Sequence, residues 1–258
     1  MSVSAHRWSW IGQSVTGKSH RGEGAACQDA HAVRDLGEAK SALIACVADG
    51  AGSAKHGGVG ARLACEAIMS QAVAHFESAG DFLGVSRDMA IAWCSQARER
   101  IRTHIDGAGG GGLRDYASTL CVALLDDECG CFFQIGDGAA VVRNAGVWGV
   151  VFWPQSGEYA NSTNFLTSES YYERLDHCLA EGRFDAAALI TDGLERLALS
   201  FDCQTLHEPF LAPLINALQT AEEPSSLQSD LERFLQSAAI ESRSDDDKTL
   251  VFACRKQE

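Results

Sequence analysis

The chain has 258 residues, enough to bury one sizeable core, and no Pro-rich or charged linker divides it, so a single domain over 1–258 is expected. Its formal charge of −14, from 21 Lys and Arg against 35 Asp and Glu, argues against nucleic acid as a partner, because phosphate-backbone binding needs clustered cations. No stretch approaches the roughly 20 apolar residues of a membrane helix, MSVSAHRWSW has no apolar secretory core, and Cys46, Cys65, Cys94, Cys121 and Cys254 sit in apolar runs as small hydrophobes, so a reducing cytoplasm with no membrane is the expected setting.

In chain order the first candidate feature is Gly12-Gln-Ser-Val-Thr-Gly17-Lys18-Ser19, which matches the phosphate-loop pattern. A phosphate loop must open a helix whose amides hold the phosphates, and HRGEGAAC, with two glycines and no apolar period, favours a strand followed by a polar loop. A strand is predicted at 41–48, then helices at about 58–78 and 85–105 that form a helical hairpin, then a flexible GAGGGG connector at 107–112. Strand-like runs follow at 119–126, 131–136, 139–143 and 147–153, joined by the hairpin-length turns DDECG and NAG. Cys129-Gly-Cys131 lacks a second pair at zinc-ligand spacing and reads as part of such a turn.

The polar stretch 154–170 reads as a long surface segment. Helical periodicity resumes at 168–181, where His177-Cys178 and Arg183 approach the signature of cysteine-dependent phosphatases one residue short of its spacing, so Cys178 reads as a packing residue on an amphipathic helix ending at Gly182. A strand at 187–191, helices at 204–219 and 225–239 and a strand at 249–254 complete the chain. Short antiparallel hairpins with separate helical blocks imply an α+β fold, helices covering sheets in a sandwich.

Four acidic residues stand at the ends or edges of apolar runs: Asp29 in CQDA, Asp49 in ALIACVADG, Asp192 in AALITDG and Asp246 in SDDDKTLVFAC. A carboxylate closing a buried strand is costly to desolvate unless paired, and few basic residues lie near these four, so divalent cations are the natural partners. Hard, all-oxygen donors favour magnesium or manganese over zinc. Bound cations would also make a phosphate-handling site compatible with so acidic a chain.

The order CQDA, VADGAGSAKHGGVGARLA, ASTLCVALL with FFQIGDGAAVVR, LITDGLERL and DDDKTLVF resembles the metal-dependent protein serine/threonine phosphatases of the protein phosphatase 2C family, over about residues 10–255. The resemblance implies a four-layer αββα sandwich of two antiparallel sheets flanked by helices, with two divalent cations, Mg2+ or Mn2+, at one end. It implies hydrolysis of phosphoserine and phosphothreonine on proteins by a hydroxide bridging the two ions, roughly 3.5–4 Å apart. Asp49 looks like the bridging carboxylate, Gly50 would lend its backbone carbonyl, Asp192 and Asp246 look like the other ligands, and Asp29 would act near the metals, partly through water. Anchoring on Thr249 selects Asp246 in Asp246-Asp247-Lys248-Thr249; a slip of one selects Asp247, with Asp245 less favoured.

Several residues depart from the family. Gln28 stands where the family has Glu, and Ala51 where some members have a histidine, so a leaving-group acid must come from elsewhere, water or His56. The substrate phosphate would be held by Arg21 or His20, and His20 is equally readable as a loop histidine bonded to backbone. Asp137, in Gly136-Asp137-Gly138, is read as mainly structural. Asp115 could reach a third metal, and a solvated loop carboxylate is its plainer reading. CQDA and the Asn161–Thr167 segment look closer to bacterial stand-alone members, which suggests a cognate serine/threonine kinase acting on the same phosphorylated proteins. The alternative is a catalytically weak phosphatase-like module that binds a phosphorylated partner.

Overall fold

The apolar runs are buried on both faces, which is why they lack the alternation of a half-solvated sheet. The computed structural model describes residues 8–36, 41–155 and 163–256. In chain order the elements are β1 (Trp8–Val15), α1 (Lys18–Glu23), β2 (Ala30–Leu36), β3 (Ala42–Ala48), α2 (Gly57–Ala79), α3 (Arg87–Gly107), β4 (Leu120–Leu125), β5 (Cys129–Ile135), β6 (Ala139–Asn144), β7 (Val147–Phe152), α4 (Tyr171–Arg174), β8 (Asp176–Glu181), β9 (Ala186–Ile190), α5 (Glu195–Ala198), β10 (Leu199–Ser200), β11 (Thr205–Leu206), α6 (Glu208–Thr220), α7 (Gln228–Leu235), α8 (Ala238–Glu241) and β12 (Lys248–Arg255).

Two five-stranded antiparallel sheets, β1-β12-β9-β6-β7 and β2-β3-β4-β5-β8, pack face to face. The alternation within β3 shows how each strand serves two layers. Leu43, Ala45 and Val47 face the other sheet, where Leu189, Val251 and Ala253 meet them. Ala42, Ile44, Cys46 and Ala48 face the hairpin of α2 and α3, against Ile68, Ala72 and Trp93. On the far side α6 and α7 cover the other sheet through Leu211, Leu218, Leu231 and Leu235. The result is the expected αββα sandwich, an α+β fold.

Helices form where apolar residues recur at helical spacing and a cap is available. Ser86 caps α3, its side chain accepting a hydrogen bond from the Met89 amide. The expected cysteine burial holds: all ten are free thiols, and Cys46, Cys65, Cys94, Cys121 and Cys254 are buried.

Five expectations need correction, the first being that Cys129 and Cys131, expected in a turn, lie in β5. The helix predicted over 168–181 is only the single turn of α4, and 176–181 is β8, an edge strand paired with β5 from Cys129↔Glu181 to Gln134↔Asp176. Edge strands carry half-polar sequences that mimic a helical stripe, and pairing along β5 decides the matter. Cys178 is therefore half-buried on a strand. The loop expected after Val15 contains α1, and the helix at 225–239 is three pieces: a 3-10 turn at Pro224–Leu227, α7 and α8. The segment 154–170 is not wholly on the surface, since Leu166 is fully buried; its residues 156–162, with Asn161, lie outside the described residues.

Candidate metal centre

Strand register brings the distant acids to one end of the sandwich. Ala30 pairs with Ala48, so Asp29, just before β2, meets Asp49, just after β3. Ile190 pairs with Leu250 and with Ala139, so Asp192, after β9, is flanked by the loop before β12 and the turn before β6. Ligand atoms of Asp49, Asp137 and Asp192 lie within 4.8 Å of one another, and a second such group joins Asp246, Asp247 and His20.

Each carboxylate has a distinct environment. Asp29 is buried, and its Oδ2 accepts hydrogen bonds from Thr191 Oγ1 (2.7 Å) and Thr249 Oγ1 (2.8 Å). Its other oxygen has no donor among the described groups, and its side chain meets Asp49, so the two acids can bond only by sharing a proton. The Asp49 backbone is pinned by Thr119: its amide donates to Thr119 Oγ1 (2.9 Å) and its carbonyl accepts from the Thr119 amide (2.8 Å). Asp137 accepts from Thr163 Oγ1 through Oδ2, while its Oδ1 is buried with no partner among the described residues.

Burial, and then the neighbouring negative charges, push these acids up. Asp29 and Asp49 are both raised, chiefly by desolvation. Asp192 is raised to about 8 by desolvation and then by Asp49, Asp137 and Asp246. Asp137 is raised by desolvation, with Asp246 adding to it. Carboxyls held this far from their ordinary range, with orphaned oxygens and no cation among them, form a donor set suited to hard divalent ions.

Asp246 and Asp247 differ in what they do. Asp247 is 1% exposed, and its two oxygens accept from the Gly17 and Gln28 amides, each at 2.6 Å. His20 Nδ1 lies 3.0 Å from Oδ1 of Asp247. Asp246 is exposed, accepts from the Asp247 amide (2.8 Å), and adds its charge to that felt by Asp49, Asp137 and Asp192. Asp247 thus ties three segments together, while Asp246 stays exposed beside it and contributes charge to the cluster.

The remaining candidates fall around this centre. The Gln28 amide faces the carbonyls of Gly50 and Ala51 at 3.2 and 3.3 Å, so its nitrogen is the atom turned toward them. The Arg21 guanidinium is engaged by Glu241 and the Thr16 carbonyl. Gly17 is the residue before α1, where a Cβ would sit 2.2 Å from the Asp246 carbonyl carbon, so this glycine is needed for loop packing and leaves no phosphate cradle. The His56 ring packs on Tyr116, 4.9 Å between centroids, and lines a cleft of about 640 Å3 with Asp29, Gln28, His31 and Lys55. Asp115 Oδ2 accepts from the Gly112 amide at 3.0 Å, a turn-capping bond. Asp137, read from the sequence as mainly structural and fixing a turn beside the site, stands inside the acidic cluster, and its strand-then-acid pattern is the same signal that picked out Asp49 and Asp192.

Comparison with known proteins agrees with this geometry. The family profile Protein phosphatase 2C matches residues 16–236. The chain is 36% identical over 253 residues, 95% of this chain and 98% of the other, to Serine/threonine-protein phosphatase 3 of Escherichia coli (strain K12). Its fold is similar to that of the serine/threonine phosphatase Stp1 of Staphylococcus aureus, with TM-score 0.62 and 16% identity over 96% of this chain and 95% of that one. It is also similar to the catalytic domain of the serine threonine protein phosphatase PstP, solved with two manganese ions, with TM-score 0.59 and 18% identity over 97% and 99%. Sandwich, strand-end acids and relatives agree: the chain belongs to the protein phosphatase 2C family.

Proposed function

We propose that the acidic end of the sandwich holds two divalent cations and that this chain uses them to hydrolyse phosphoserine and phosphothreonine on proteins. The chain is a protein serine/threonine phosphatase of its family, a phosphoric monoester hydrolase. The observation that carries the two-cation reading is the meeting of Asp49, Asp137 and Asp192 within 4.8 Å, all raised by burial and mutual repulsion, with no basic side chain among them.

Asp49, Asp137 and Asp192 would hold the cations, with the Gly50 carbonyl and Asp246 as further donors and Asp29 acting beside them. Magnesium or manganese suits this all-oxygen set. When bound, such a pair neutralises phosphoryl oxygens and acidifies a water for in-line attack, so no side-chain nucleophile is needed. Thr191 and Thr249 fix Asp29, and Thr119 fixes the Asp49 backbone, so the donors are set before substrate arrives. A third ion near Asp115 would compete with that residue's capping bond to Gly112.

Both basic candidates for the substrate phosphate have a carboxylate partner, His20 in Asp247 and Arg21 in Glu241, and we assign the role to His20, which also stands beside Asp246. The cleft bordered by Asp29, Lys55 and His56 is where a phosphorylated segment would lie. The substrates are phosphoproteins, and a serine/threonine kinase would be the enzyme that loads them. No described helix is long and apolar enough to cross a membrane, and a cytoplasmic setting and one domain over 1–258 complete the reading. A weak binding module is not favoured, because binding alone would not require so costly a gathering of buried acids.

The test is hydrolysis of p-nitrophenyl phosphate and of a phosphothreonine peptide with Mn2+, repeated in EDTA. Turnover that requires the cation is expected. Turnover that persists in EDTA, or none on either substrate with Mn2+, would remove the proposal.

A further inference from the structure

Lys248 opens β12 and is fully buried, at 0% exposure, although the next six residues of the strand, Thr249 to Cys254, are uncharged. A methionine would fill the same space without burying an amine, so packing alone does not explain it. Its contacts do. Nζ donates to the backbone carbonyl of Asp246 at 2.7 Å. Its stem runs beneath the residue after Asp192, with Cγ 3.1 Å from where a Cβ on Gly193 would stand. One side chain therefore bonds the backbone of Asp246 and packs beside the glycine that follows Asp192.

The neighbours of Asp246 are held by other groups. The Asp245 carbonyl accepts from the Ser19 amide (3.0 Å) and Ser19 Oγ (2.8 Å), and Asp247 accepts from Gly17 and Gln28. The middle tether of the loop is Lys248. The charged groups around its amine are Glu241, Asp247, Asp246 and Arg21.

We infer that Lys248 is a positioning residue for the acidic centre: by holding the Asp246 carbonyl it sets where the Asp246 carboxylate stands relative to Asp192, and so sets the affinity for a divalent cation between them. This rests on the two-cation reading. Partners that orient ligands from behind change metal affinity roughly 10–100-fold when removed.

The sign of the effect is diagnostic. Removing a positive charge beside the acids, with their placement intact, would tighten cation binding; removing the tether weakens it.

The experiment is calorimetric titration of Mn2+ into the unaltered protein and Lys248→Met, with the electron paramagnetic resonance signal of free Mn2+ as a second readout. Circular dichroism in EDTA reports whether the variant is folded. The weaker of the two binding constants is expected to fall about tenfold in Lys248→Met, and Lys248→Arg, which keeps a donor, is expected to recover most of the loss. Unchanged or tighter binding in a folded Lys248→Met overturns the inference, as does a lower unfolding temperature with unchanged affinity. If Lys248→Met does not fold, Lys248→Gln decides by the same measure, and failure of both makes Lys248 a folding determinant and overturns the inference too. If the unaltered protein takes up no Mn2+, the two-cation reading itself fails and this inference falls with it.

Discussion

The two ends of the sandwich carry the same kind of sequence and put it to opposite use. At one end the apolar run of β4 closes on Asp126-Asp127, just as β3 closes on Asp49 and β9 leads to Asp192. Asp126 is 3% exposed, yet its oxygens accept from the Phe82 amide (2.8 Å) and the Glu128 and Cys129 amides (both 2.7 Å). Arg255 pairs with Asp127 at 2.7 Å, donates to the Asp126 carbonyl and lies over the Trp8 ring. Asp126, Asp127 and Arg255 thus all have partners inside the chain. At the other end, oxygens of Asp29 and Asp137 lack donors and the acids repel one another. A strand-end acid is a structural pin where amides and a guanidinium surround it, and a cation ligand where they do not.

Paired substitutions break this contrast most sharply. Asp49→Asn is expected to lower Mn2+-dependent hydrolysis of p-nitrophenyl phosphate by about 10^3-fold, as loss of a central electrostatic group does. Asp126→Asn should leave turnover intact but lower unfolding stability by about 1–3 kcal/mol in urea titration, because an acceptor of three amides becomes half donor. Equal activity losses in the two variants would erase the distinction between the ends.

A smaller effect separates the basic residues near the acidic end. His20→Ala should raise KM for p-nitrophenyl phosphate about tenfold, while Arg21→Ala, freeing only an exposed pair with Glu241, should change it little. A larger KM change in Arg21→Ala would reverse the assignment.

A further effect is expected on stability against pH. In the metal-free protein burial and the neighbouring acids raise Asp192 to about 8, against about 3.9 for an aspartate in an unfolded chain, and Asp29 and Asp49 are raised as well. Between about pH 4 and about pH 8 the folded state therefore holds protons that the unfolded chain has released. Their stabilising contribution is complete below about pH 4 and is lost as pH rises through about 8. The unfolding temperature in EDTA should drift down across this window, and Mn2+ should flatten the drift because cations replace protons. A rise in EDTA over the same window would contradict the shifts.

Much of the fold was legible because apolar runs such as ALIACVA and TLCVALL and turns such as DDECG report burial and hairpin pairing directly. The strand β8 was not legible, since DHCLAE has a helix-like stripe and became a strand only through its partner β5. In the site, Asp29, Asp49 and Asp192 could be picked out as acids closing buried strands. Asp137 followed the same pattern and was read as structural, fixing a turn beside the site; the register of β6 on β9 brings it in among the other acids. The engagement of Asp247 also lay beyond the sequence, because its partners are the Gly17 and Gln28 amides, more than two hundred residues away along the chain.

The sequence by itself determined which residues are buried, where strands stop and that acids stand at those stops, because burial and backbone pairing leave periodicity and punctuation in the chain. Only the tertiary structure decided which of those acids find protein donors and which are left facing one another. That outcome depends on distances between segments, which no local pattern encodes.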